Sequence, residues 1–81
     1  MKILSIRPTA SNKDVAAFDV ELSPHLRLFN LTLRRGADGA LRIYAAKALG
    51  KHSASFHPDL AQEITSAAEA AMGGKQPNGH R

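Results

Sequence analysis

The sequence predicts a small α+β domain, an antiparallel β-meander of four to five strands followed by one C-terminal α-helix. Three observations carry this. Residues 15–22 alternate apolar and polar side chains, as a half-buried strand does. Gly36-Ala37-Asp38-Gly39 separates two strand-like runs and reads as a tight hairpin turn. Residues 58–72 open on a proline and repeat apolar residues at helical spacing. With 81 residues there is room for one domain, placed at residues 1–72, and a core of this size is marginal. Pairing of two copies into a homodimer is therefore the expected way to bury more surface.

Taken in order, Lys2 to Arg7 is rich in Ile and Leu, is closed by Pro8, and predicts a first strand. Residues 9–13 are turn-like. In the next run Ala16, Phe18, Val20 and Leu22 share one face, with Ala17, Asp19 and Glu21 on the other. Ser23-Pro24-His25 breaks it. Strand character resumes at Leu26 and runs to Arg34, but the parity slips: Leu26 and Leu28 share one set, Phe29, Leu31 and Leu33 the other. A bulge near Leu28–Phe29 is expected to keep both sets on the core. Leu41 to Ala45 is the returning strand, with Arg42 and Tyr44 outward. Residues 46–52 lose alternation and read as a loop, and residues 53–57 as a short last strand. His57-Pro58-Asp59 is a helix start, since proline suits the first helical position and Asp59 complements the positive end of the helix dipole. Leu60, Ile64, Ala67, Ala68, Ala71 and Met72 form the stripe, Gly73-Gly74 ends it, and residues 73–81 read as a disordered tail.

Composition excludes several chemistries. There is no cysteine, hence no disulfide, thiolate metal site or cysteine nucleophile. No apolar run approaches the roughly 18 residues of a membrane span. The N-terminal apolar stretch is too short for a signal-peptide core, so a cytoplasmic protein is the expectation. His52 and His57 lie five apart, a spacing that specifies no metal site. Ser53, Ser55, His57 and Asp59 lack any nucleophile-elbow context, and no phosphate-binding glycine loop joins a strand to a helix. The reading is of a protein that is not an enzyme, with neither metal nor cofactor.

Charge is the remaining signal. The net charge is +4. Residues 22–58 hold Arg27, Arg34, Arg35, Arg42, Lys47 and Lys51 against Asp38 alone, whereas residues 59–72 hold Asp59, Glu63 and Glu69 and no base. A basic stretch in a small protein is the electrostatic footprint of nucleic-acid binding. By alternation, the outward face carries Asn30, Thr32 and Arg34 on one strand and Arg42 and Tyr44 on the next, with Lys47 and Lys51 extending it. The candidate nucleic-acid-binding residues are therefore Arg34, Arg42, Lys47 and Lys51 for phosphates, with Tyr44 as a stacker. The competing reading is that Arg7, Arg34 and Arg42 are matched across the strands by Asp19 and Glu21.

The order ILSIRP, SPHLRLFNLTL with its slipped parity, GADGAL leading into RIYAAK, and HPDL opening the helix resembles the stage V sporulation protein G (septation regulator) family over residues 2–72. That resemblance implies an antiparallel sheet with a C-terminal helix, a dimer formed through strands, and a DNA- or RNA-binding regulator. Of the family's basic Ser-Lys-Arg-like stretch after the fourth strand, only Lys47 is matched here, within Ala46-Lys47-Ala48. The loop that follows is short. The helix, implicated in DNA contact in that family, is acidic in this chain. The sheet face and the 46–52 loop are thus better placed than the helix to meet phosphate. The alternative is a protein–protein interaction module, an adaptor or antiactivator that binds no nucleic acid.

Overall fold

The computed structural model describes residues 1–9 and 14–73. Strands β1 (Lys2–Pro8), β2 (Asp14–Ser23), β3 (Leu26–Arg35) and β4 (Leu41–Tyr44) form one antiparallel sheet in the order β1-β2-β3-β4. Two further strands, β5 (Lys47–Ala48) and β6 (Lys51–His52), pair as a separate two-stranded ribbon, and α1 (Pro58–Ala71) closes the chain. The α+β expectation holds. No helix among the described residues is long and apolar enough to cross a membrane.

Three of the element boundaries have a local cause. Pro8 has no N–H to give to a ladder, and it sits at the end of edge strand β1, opposite Ala16. Between β3 and β4 the Gly36 N–H donates to Ala40 O at 2.8 Å and the Gly39 N–H to Gly36 O at 2.9 Å. Gly39 stands at φ +84°, a conformation a Cβ resists. The helix begins as the sequence indicates. Pro58 occupies its first turn, and His57 caps it by accepting the Asp59 N–H on Nδ1 at 3.1 Å.

The helix covers one face of the sheet, packing against edge strands β4 and β1 and so crossing the sheet's width. Ile64 and Ala68 close on Ala16, Phe18, Val20, Leu31, Leu33 and Ile43. Burying this set is the main driving force for the fold, and truncating a side chain such as Phe18 to Ala costs about 3–5 kcal/mol. The buried stripe is rotated slightly from the expected one. Thr65 is buried, with its hydroxyl donating to Ala61 O at 2.8 Å, while Ala71 is exposed. A threonine enters the apolar face because its own helix satisfies its hydroxyl.

Six expectations are corrected or bounded. The loop foreseen at 46–52 is the β5–β6 ribbon, and residues 53–57 form no strand. Phe29 is not in the core but 60% exposed. The bulge of β3 falls one residue later than foreseen. Phe18 pairs with Leu31 and Val20 with Leu28, so Phe29 and Asn30 together oppose Asp19. Asn30 takes φ +59°, and asparagine tolerates that conformation far better than a leucine or phenylalanine would. The extra residue restores Leu31 and Leu33 to the core and leaves Phe29 on the face of Asp19. Finally, residues 10–13 of the expected turn and 74–81 of the expected tail lie outside the described residues.

The bulge generates a test. Asn30→Val forces a β-branched side chain to positive φ, at a cost of about 1–2 kcal/mol, which for a domain of this size lowers Tm by roughly 4–16 °C. Asn30→Gly keeps the conformation and should shift Tm by less than about 4 °C. Differential scanning calorimetry on the two variants reads the contrast.

Candidate nucleic-acid interface

The face of the sheet opposite α1 is uncovered, and strand alternation fills it with polar side chains. Its charges are arranged in pairs. Arg7 on β1 meets Asp19 on β2 at 3.4 Å, and Arg27 on β3 meets Glu21 on β2 at 3.0 Å. Arg34 donates to Asp14 at 2.7 Å, and Arg42 meets Asp38 of the turn at 3.0 Å. Four arginines are thus matched by four carboxylates. The competing reading, matched charges, describes this face, although the partners of Arg34 and Arg42 are Asp14 and Asp38 rather than Asp19 and Glu21.

Two of these carboxylates, Asp19 and Asp38, are held by more than charge. Asp19 accepts the backbone N–H of the bulge residue Asn30 at 2.8 Å, and this hydrogen bond is the main reason its carboxyl lies below the ordinary range. Arg7 adds to the effect, partial burial opposes it, and Arg7 Nη2 also reaches Asn30 Oδ1 at 3.1 Å. Asp38 takes two hydrogen bonds from Arg42 and one from the Ala40 N–H, which hold its carboxyl at about 2, with the Arg42 bonds the largest cause. In return, the bond to Asp38 raises the Arg42 guanidinium, and the bond to Asp14 raises that of Arg34.

The sequence-predicted site residues are brought together along β4 and beyond it. Arg34 lies opposite Arg42 and Thr32 opposite Tyr44 in the β3–β4 register. Arg34 Cζ stands 5.2 Å from the Tyr44 ring centroid, a cation–π distance. The Tyr44 ring stacks on His52 with centroids 5.4 Å apart. His52 Nδ1 donates to Ala45 O at 2.7 Å, anchoring the ribbon to the end of β4. Tyr44 is therefore engaged by two neighbours already, and a base stacking on it would have to displace one. Beneath the stack lies an open groove of about 240 Å³ whose walls include Tyr44, His52, Ser55 and Phe56.

Lys47 and Lys51 are different. Both are exposed, and neither has a carboxylate partner among the described residues. Lys47 lies opposite His52 and Ala48 opposite Lys51, so alternation puts the two lysines on opposite faces of the ribbon. The Ser53 N–H donates to Ala46 O at 2.8 Å and closes its base. Leu49 and Gly50 form the two-residue turn at φ +54° and +81°, the sign pattern of a type I′ turn. Leu49 at its tip is fully exposed.

Sequence reasoning missed His52 and Phe29 as members of these surfaces. For His52 the signal was its place opposite Lys47 across a Leu-Gly turn. For Phe29 it was the asparagine that follows it. Among the described residues, no cluster of histidine and carboxylate groups is suited to hold a metal ion. No family model, curated protein or solved structure matches the chain.

The Arg42–Asp38 pair has a pH signature. Because the Asp38 carboxyl is depressed when folded, its stabilising contribution is full above about pH 4 and is lost as pH falls through about 2. Carbon-detected NMR titration of the Asp38 carboxyl should give a midpoint near 2, and Arg42→Ala should move it up toward the ordinary carboxylate value.

Proposed function

We propose that this chain is a small nucleic-acid-binding regulatory module that grips phosphates through Lys47 and Lys51, with Arg34 and Arg42 beside them and Tyr44 positioning His52. The observation that carries this reading is the contrast in charge matching. The open-face arginines are neutralised in pairs, while the ribbon lysines, adjoining that face, are exposed and unmatched. Exposed ion pairs contribute only about 0–1 kcal/mol, so Arg34 and Arg42 exchange a carboxylate for a phosphate at little cost once the lysines hold the backbone. The acidic helix lies on the other side of the sheet. The resemblance to the stage V sporulation protein G family supports the same reading, and a homodimer would double the number of phosphate contacts.

Fluorescence anisotropy of labelled duplex and single-stranded oligonucleotides across a salt series tests it. The expected slope of log affinity against log salt is negative, and Lys47→Ala with Lys51→Ala should make it shallower by about 1.4–1.8, the loss of two phosphate contacts. Unchanged affinity in that double variant would remove the ribbon from the interface.

A second reading rests on Leu26 and Phe29, which are 48% and 60% exposed. They offer apolar surface to a protein partner, a second copy of this chain included. Sedimentation velocity on the wild type and Phe29→Ser reads it. A self-associating wild type that becomes monomeric on this substitution is the expected signature of that contact.

A further inference from the structure

The ribbon tip poses its own question. A type I′ turn calls for asparagine, aspartate or glycine at its first central position, because that residue takes positive φ. Here the position holds Leu49, at φ +54° and fully exposed. The fold gains nothing from it, since its side chain reaches no core residue. Behind it stand Lys51, in the first pair with Ala48, on one face of the ribbon and Lys47, in the second pair with His52, on the other. An apolar tip with one cation on either flank is a specific shape.

We infer that Leu49 is an apolar wedge that enters the minor groove of duplex DNA and unstacks a base step, while Lys47 and Lys51 hold the phosphates of the two strands that border the groove. The inference rests on the nucleic-acid reading above and names its substrate. The minor groove of B-DNA is only about 6 Å wide, so a ribbon set edge-on between its walls brings one lysine to each strand. Apolar side chains inserted at such a site pry base pairs apart and kink the duplex. The minor groove of A-form RNA is wide and shallow, and offers no paired walls to the two flanks of the ribbon. A single strand has only one backbone for two divergent lysines. A lipid surface would draw on one leucine and two lysines, a small set for stable anchoring.

The test separates binding from kinking. A duplex of about 25 base pairs with a central TA step, chosen because such steps unstack easily, carries 2-aminopurine at that step and a fluorophore pair at its ends. Anisotropy reads binding, 2-aminopurine fluorescence reads unstacking, and energy transfer between the ends reads the bend. Leu49→Asn suits the turn better than leucine, so its fold is secure. The expected result is a rise in both signals with the wild type, and binding by Leu49→Asn within about threefold with neither rise. Leu49→Met should restore both. Binding by the wild type without unstacking, or equal unstacking by Leu49→Asn, would overturn the wedge and leave phosphate binding intact. Failure of the wild type to bind any oligonucleotide at low salt would overturn the nucleic-acid reading itself. Leu49-dependent co-sedimentation with phosphatidylserine vesicles, with no duplex binding, would assign the tip to a lipid surface instead.

Discussion

A four-stranded sheet has two faces, and here one helix lies against it. A helix of 14 residues is about 21 Å long, enough to cross four strands spaced about 4.8 Å apart and cover one face. Ile64 and Ala68, seated on Phe18, Val20, Leu31 and Leu33, decide which face that is. The other face must then remain in water, and the chain makes it water-compatible with Arg7, Arg27, Arg34 and Arg42. Each of these sits beside a carboxylate, so the face is polar without being strongly basic. These pairs add little to stability, and their consequence is electrostatic.

That neutrality gives the rest of the charge its meaning. Among the described residues, the cations outside those four pairs are Lys2, Arg35 and the two ribbon lysines, and the carboxylates outside them are Asp59, Glu63 and Glu69 on the helix. Arg35 is tied by a hydrogen bond to Gly39 O at 3.2 Å in the β3–β4 turn. Lys47 and Lys51 instead project from a ribbon anchored to β4 through Tyr44, His52 and Ala45. The Arg34–Tyr44–His52 series therefore works as a brace, running from the sheet to the base of the ribbon. The sheet is the rigid support, and the unmatched charge is carried at its margin.

Much of this was legible in the sequence, for identifiable reasons. The strand at residues 15–22 and the helix have a single period each, and the Gly36–Gly39 turn has residues that demand it. The slip in β3 was visible as a change of parity, but parity alone places the bulge anywhere between Leu28 and Leu31. Only the ability of Asn30 to take positive φ settles it, and with it the exposure of Phe29. The ribbon was not legible, because two strands of two residues carry no alternation and Leu-Gly is not a typical I′ pair. Charge matching was foreseen as the competing reading, but the partners of Arg34 and Arg42 were not. The basic count over residues 22–58 ignored Asp14 and Glu21, which lie earlier in the chain and are brought opposite Arg34 and Arg27 by the β2–β3 register. Charge counted along a chain is not charge counted across a sheet.

Asn30 and Leu49 are the two non-glycine residues at positive φ among those described, and they differ in what the fold gains from them. Positive φ costs an ordinary side chain about 1–2 kcal/mol. At Asn30 the fold recovers that cost: the residue's N–H goes to Asp19, its side-chain oxygen accepts from Arg7, and its extra length returns Leu31 and Leu33 to the core. At Leu49 nothing is recovered. The residue type is poor for the turn, and its apolar surface stands in water at the most exposed point of the ribbon. Where strain is repaid by contacts within the chain, the fold explains it. Where it is not, the strain is the ground for a functional hypothesis, and the described charges nearest to Leu49 in the ribbon are the lysines on its two faces.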